Sequence, residues 1–295
     1  MPVEDFIIYV YCCVHDSYRE IVKTPLRSRG FEPKLTDCEV ITMEVVGEFM
    51  GQDRDLGIWR YFKAHWKMLF KNIGSRSSFV KQSANLTVQK HLIQRHLANA
   101  LGALNSRVHL IDGFPMAVCK PTRVKRSRCF KGEAGFSYCA AKDQKYYGFE
   151  GHLMTSDEGV ICGQTFAMAS LDERDVIHDI VGNIQGLLIG DKGYIRPQLK
   201  EELSTQGIDL QTPLRKNMQD PRPKAYVKEL MRKRRLVETV IGQLTERFHI
   251  EKVRARDTWH LSNRFIRKIL AHTVGVFLNK LLGNKPLQFD ALAVF

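Results

Sequence analysis

No stretch of the 295-residue chain approaches the ~18 consecutive apolar residues that a membrane span requires. The apolar run Phe6-Ile7-Ile8-Tyr9-Val10-Tyr11 is short and follows Glu4 and Asp5 rather than a basic segment. It therefore predicts a buried helix and not a secretory signal. The seven cysteines, at 12, 13, 38, 119, 129, 139 and 162, are odd in number and form no CxxC pair. That pattern excludes a disulfide framework and a zinc ribbon and points to a reducing compartment, the cytoplasm. A P-loop, a GxSxG elbow and a convincing dinucleotide fingerprint are absent, as are internal repeats and low-complexity tracts.

What is present is a globular composition with a basic surplus. The chain is 44% hydrophobic and 26% charged, enough apolar material for a real core. Lys and Arg number 45 against 32 Asp and Glu, a formal net charge of +13. Such a surplus favours a polyanionic partner, because cations placed on phosphates release condensed counterions. A basic enzyme with no such partner is the plainer alternative.

Residues 1 to about 101 read as helical. Thr36-Asp37-Cys38-Glu39 is a capping-box pattern ahead of Val40, Ile41, Met43, Val45 and Val46, with Gly51 at the expected stop. A second helical stretch spans about Ser77 to Leu101. Short helices with basic faces fit a helix-turn-helix-like DNA-binding region. After Gly102 the pattern changes to strands. Val108–Ile111 reads as a buried strand ending in a turn at Asp112-Gly113. Tyr146–Met154 and Val160–Ala167 read as antiparallel neighbours, and Gly186–Gly190 and Ile208–Pro213 as further strands. Asp172–Val181, about 225–248 and 262–282 read as helices. The order predicts an α/β fold, a mixed sheet with helices packed on it, over residues 102–295.

Two aspartates share one context. Asp112 and Asp191 each follow an apolar strand, and each precedes a glycine within two residues. Carboxylates at the carboxyl ends of neighbouring strands sit at a sheet crevice and can share a divalent ion. Either alone is equally compatible with ordinary turn chemistry. Glu238 is the third candidate, at the edge of an apolar stripe formed by Val227, Leu230, Val237, Ile241, Leu244 and Phe248. Arg234 stands one turn earlier, so a surface i,i+4 ion pair is the simpler account of both. Asp172, Glu173 and Asp175 form another acidic group, read as first-turn acids that complement a helix dipole. Trp59 and Trp66 are expected in helix core, and Tyr194 either stacks on a base or packs inside.

These strings together resemble the DDE transposases of bacterial insertion sequences. The likeness rests on Asp112 after a strand, on Gly190-Asp191-Lys192-Gly193-Tyr194, and on Arg234-x-x-x-Glu238 on a later helix. Pro33–Asp37, His109–Pro115, Thr212–Asn217 and Arg234–Phe248 are similar too, so it covers nearly the whole chain. The resemblance implies a ribonuclease-H-like core in which Asp112, Asp191 and Glu238 are catalytic and bind two Mg²⁺ or Mn²⁺ ions. It also implies an N-terminal region that binds the element's terminal inverted repeats. Relatives carry Tyr-x-x-Arg-x-x-x-Glu-(six)-Lys around the glutamate. Here Met231 replaces the tyrosine and Thr245 the lysine, with Arg247 a candidate substitute.

Lys120, Arg123, Lys125, Arg126, Arg128 and Lys131 are six cations in twelve residues with no acid among them. A second cluster runs from Arg222 through Lys224, Lys228, Arg232, Lys233, Arg234 and Arg235, and Lys192 adjoins Asp191. Runs flanking candidate catalytic carboxylates are better explained by phosphates than by solvated faces. The reading is a nucleoid-associated transposase that cleaves and rejoins DNA, acting on element ends and target DNA as a homodimer and without membrane attachment. The alternatives are a nuclease of the same fold without strand transfer, and a non-catalytic DNA-binding derivative.

Overall fold

The computed structural model describes residues 1–27, 29–182 and 184–292. It divides into two compact units. One contains Met1–Leu97, Leu244–Ile250 and Arg254 onward, and the other Ala98–Gln243 with Glu251–Val253. The chain therefore returns to its first unit after the sheet, which a single cut at residue 101 does not capture.

The helical unit contains α1 (Val3–Ile21), α2 (Asp37–Phe49), α3 (Asp55–His65), α4 (Arg76–Asn85), α5 (Thr87–Ala100, to Leu97) and α10 (Thr258–Leu281). Thr36 caps α2 through the predicted reciprocal capping box, and Gly51 follows its end at φ +70°. The stretch expected as one helix from Ser77 is two, broken at Leu86. Almost every residue of α2 is buried, including Glu44 and Glu48. Their charges are met by cations from other helices. Lys90 of α5 and Arg267 of α10 reach Glu44, while Arg267 and Lys268 reach Glu48. Arg267 also binds Asp55 at 2.7 Å, and Arg264 does so at 2.9 Å. Burial pushes Asp55 up, but these two arginines outweigh it and hold the carboxyl well below its usual range. Trp59 and Trp66 are half-buried rather than core, and the Trp59 indole donates to Gly74 O.

The second unit holds a six-stranded mixed sheet in the order β2-β3-β1-β5-β6, with β4 also on β3. The strands are β1 (Val108–Cys119), β2 (Gly135–Cys139), β3 (Gln144–Ser156), β4 (Ile161–Met168), β5 (Gly186–Ile189) and β6 (Ile208–Gln211). The turn expected at Asp112-Gly113 is not there: β1 runs straight through it, pairing Asp112 with Leu153 and Gly113 with His152. Thirteen-residue β3 supplies partners along that whole length, so the strand has no reason to stop. Pro115 is tolerated because beyond Leu110 one edge of β1 has no partner strand among the described residues. β3 and β4 are antiparallel, as their alternation predicts.

Helices cover both faces of the sheet. On one, Ile111 and Leu188 pack with α6 (Glu173–Val176), α7 (His178–Val181) and α8 (Pro197–Thr205) through Val176, Ile180 and Leu199. On the other, Leu110 and Ile189 meet Leu230 and Val237 of α9 (Lys224–Glu246). The expected helix over Asp172–Val181 is thus two single turns. Among the described residues no helix is long and apolar enough to cross a membrane.

Candidate active site

Parallel register brings the two aspartates together. Leu110 of β1 pairs with Ile189 of β5, and each aspartate lies two residues further along its own chain. Asp112 and Asp191 therefore stand side by side at the carboxyl end of the central parallel pair. Backbone donors hold both: Gly113 N–H donates to Asp112 Oδ1 at 2.9 Å, and Gly193 N–H to Asp191 Oδ1 at 2.6 Å.

Glu238 comes from the other direction. Val237 is buried against Leu110 and Ile189, so its successor is held beside the strand ends. Arg234 makes the expected i,i+4 pair with Glu238. It also donates from Nη1 to Asp112 Oδ2 at 3.1 Å, which a surface pair would not do. The guanidinium thus bridges two of the three candidate carboxylates.

Two further carboxylates face the group. Glu150 of β3 approaches Gly113, where a Cβ would stand 3.1 Å from Glu150 Oε1. A Cβ on Gly193 would stand 2.8 Å from Asp191 Oδ1 and 2.9 Å from Glu173 Oε1, so the glycine lets these oxygens approach the backbone closely. Burial, only partly opposed by Arg234, pushes Asp112 up to about 6, with Asp191 and Glu238 adding to the rise. Burial and then Asp112 and Asp191 push Glu150 up to about 7. Burial and then Asp191 and Glu150 push Glu173 up to about 8. A crowd of hard oxygens with one guanidinium among them is short of positive charge, and its donor chemistry fits Mg²⁺ or Mn²⁺. Among the described residues no three His, Cys, Asp or Glu stand ready-spaced around one ion; Arg234 bridges Asp112 and Glu238 instead.

Residues 103–258, more than half of the chain, match the model of the transposase DDE domain family. The chain is a DDE transposase. Its structure is also similar to that of the piggyBac transposase in a synaptic complex with hairpin DNA, at a TM-score of 0.53 and 10% identity. That likeness covers 98% of this chain and 76% of the other, and it concerns the fold. No curated protein sequence matches the chain. DDE transposases as a family use divalent metal ions.

The transposase treats its cations unequally. Lys120, Arg123, Lys125, Arg126, Arg128 and Lys131 are all exposed, on the 3₁₀ turn Pro121–Arg126 and the loop after it. Lys120 lies eight residues beyond Asp112 along the chain, roughly 26 Å at ~3.3 Å per residue of extended strand. The loop after it folds back, so that Phe130, between Arg128 and Lys131, meets the ring of Phe149, the strand partner of Met116. Lys192 and Arg235 are exposed, whereas Arg234 is committed to the carboxylates. Arg222 is tied to Asp220, Gln211 and Thr212 O. Arg247 lies in the helical unit, paired with Asp290 and set over Phe49 and Phe289, and Thr245 belongs to that unit too.

The acidic trio resolves into three roles. Asp172 does cap a helix, accepting from Arg174 N–H, and Asp175 pairs with Arg196. Glu173, read as a dipole partner, instead turns in toward Asp191. Glu150 escaped notice altogether. Its signal is a lone acid inside the apolar strand Phe149-Glu150-Gly151-His152-Leu153. Tyr194 is packed inside, its hydroxyl buried and without a hydrogen-bond partner among the described residues. Burial and then Glu173 keep that hydroxyl well above the usual tyrosine range.

Proposed function

We propose that this transposase binds the terminal inverted repeats of an insertion sequence and catalyses metal-dependent cleavage and strand transfer at them. The observation that carries the reading is the meeting of Asp112, Asp191 and Glu238, from two parallel strands and a helix, in a chain of the DDE family. In this reading the three carboxylates are catalytic and hold two divalent ions, Mg²⁺ or Mn²⁺. When bound, such ions activate the attacking oxygen and neutralise charge on the phosphate and leaving oxygen.

The protein's own groups prepare that site. The N–H groups of Gly113 and Gly193 fix the rotamers of Asp112 and Asp191. Arg234 ties Asp112 to Glu238 and offsets their repulsion before any ion or phosphate enters. Lys192, Arg235 and the exposed cations from Lys120 to Lys131 hold DNA backbone. The helical unit contributes end recognition, the sheet unit the chemistry, and a homodimer brings two ends together.

The test is cleavage of a duplex carrying the gene's own flanking ends, with Mg²⁺ or Mn²⁺. Cutting at the boundary with joined products is expected of the wild type. Asp112→Asn, Asp191→Asn and Glu238→Gln should each lower cleavage by about 10³-fold or more, in proportion to the electrostatic stabilisation lost, with binding retained. Cutting without joining would make the protein a nuclease. Full activity in any of these variants would remove that residue from the triad.

A further inference from the structure

The helical unit carries an open groove of about 640 Å³, far in sequence from the carboxylates, lined by Arg54, Arg76, Lys81, Arg254, Trp259 and Arg264. Its walls come from α3, α4, α10 and the segment before α10, all within that unit. Five of its eleven lining residues are lysine or arginine, and they divide into two sets. Arg254 is spent on Asp53 at 3.2 Å and Arg264 on Asp55 at 2.9 Å. Arg54, Arg76 and Lys81 are exposed and make no ion pair among the described residues. The groove's one acid, Asp55, is already claimed by Arg264 and Arg267. Three uncommitted positive charges thus face one opening.

Trp259 decides what kind of anion suits it. Its side chain is 48% exposed, an unusual state for the largest apolar residue, while Trp59 donates to Gly74 O and lies under Lys63. On one side Trp259 meets the edge of His260 at 4.9 Å. A cationic groove with an open indole matches what unpaired nucleic acid needs, with phosphates on the cations and a base on the ring. A paired duplex keeps its bases stacked on each other and has no use for the indole.

We propose that this groove binds single-stranded DNA, with Arg54, Arg76 and Lys81 on successive phosphates and an unpaired base stacked on Trp259. The inference rests on the DNA-processing reading above and adds to it a site for an unpaired strand.

The experiment titrates the full-length protein with a short oligo-dT strand, following anisotropy and tryptophan fluorescence at several salt concentrations. The wild type should bind with quenching. Trp259→Ala should abolish most of the quenching and weaken binding about 5- to 100-fold, while Trp259→Phe keeps most of the affinity. Arg54→Ala/Arg76→Ala/Lys81→Ala should lower the slope of log K against log salt by about 2, at ~0.7 per phosphate. Neutralising Lys63, Lys67 and Lys71 together, exposed cations elsewhere on the unit, serves as control and should change it far less. Circular dichroism melting shows which variants are folded. If Trp259→Ala unfolds, Trp259→Phe and the triple-alanine variant still decide. Unchanged quenching and slope, or an equal loss in the control, overturns the groove. If the wild type cuts element ends but the groove variants bind oligo-dT normally, only this inference falls; if it binds no DNA at all, the proposed function falls with it.

Discussion

Arg234 and Asp112 lie 122 residues apart in sequence and 3.1 Å apart in space. The same guanidinium holds Glu238, so one cation bridges carboxylates from a strand and from a helix. Removing it leaves the cluster's repulsion unopposed. Arg234→Ala is expected to lower the melting temperature in chelator, since a charge-assisted bond is worth about 1.5–3 kcal/mol. Added Mg²⁺ should then recover more degrees in the variant than it adds to the wild type. Equal Mg²⁺ gains in thermal-shift measurements would show that the arginine and the ion do not serve the same carboxylates.

Gly193 separates stability from activity. An added Cβ meets side-chain oxygens of Asp191 and Glu173 below 3.0 Å, and side-chain ends can swing away. Gly193→Ala should therefore melt within a few degrees of wild type, because a displacement of this kind costs about 1 kcal/mol. Its cleavage rate should nevertheless fall about 10²-fold, since a misplaced carboxylate loses the productive geometry. Parallel melting and single-turnover assays check the split.

The buried charges around α2 predict the opposite pattern. Arg267 is fully buried and serves Glu44, Glu48 and Asp55 at once. Arg267→Met strands these acids without their main partner, and breaking a buried pair this way costs about 3–5 kcal/mol. A large drop in urea midpoint is expected, with no change in metal affinity of whatever remains folded.

His272 gives the helical unit an acid limit. It is buried between the rings of Phe248 and Phe289, and burial lowers its pKa to about 3. A depressed pKa means that the unfolded chain takes up the proton first. The stability is complete above about 6.5, the ordinary histidine value, and is lost as pH falls toward 3. The slope approaches about 1.4 kcal/mol per pH unit within that window. His272→Leu should flatten this limb in pH-dependent denaturation; an unchanged limb would place the titrating group elsewhere.

Sequence periodicity exposes what is local. The capping box at Thr36, the apolar stripe of α9 and the strand leading to Asp191 are each written in fewer than about two dozen neighbouring residues, and all appear as read. Asp112 and Asp191 come side by side through the parallel register of β1 and β5, and Arg234 links Glu238 to Asp112. Local patterns failed where partners come from afar. Asp112-Gly113 looks like a turn until β3 pairs along its whole length.

The sequence by itself determined the class of protein: a basic α/β chain with two aspartates after apolar strand-forming runs and no motif of rival chemistry. Tertiary structure alone decided which charges meet. Glu150 joins the site through the space above Gly113, Glu173 turns inward while Asp172 caps its helix, and Arg234 abandons the surface for Asp112. Burial and Coulomb energy depend on distance in space, and only chain packing converts 122 residues of separation into 3.1 Å.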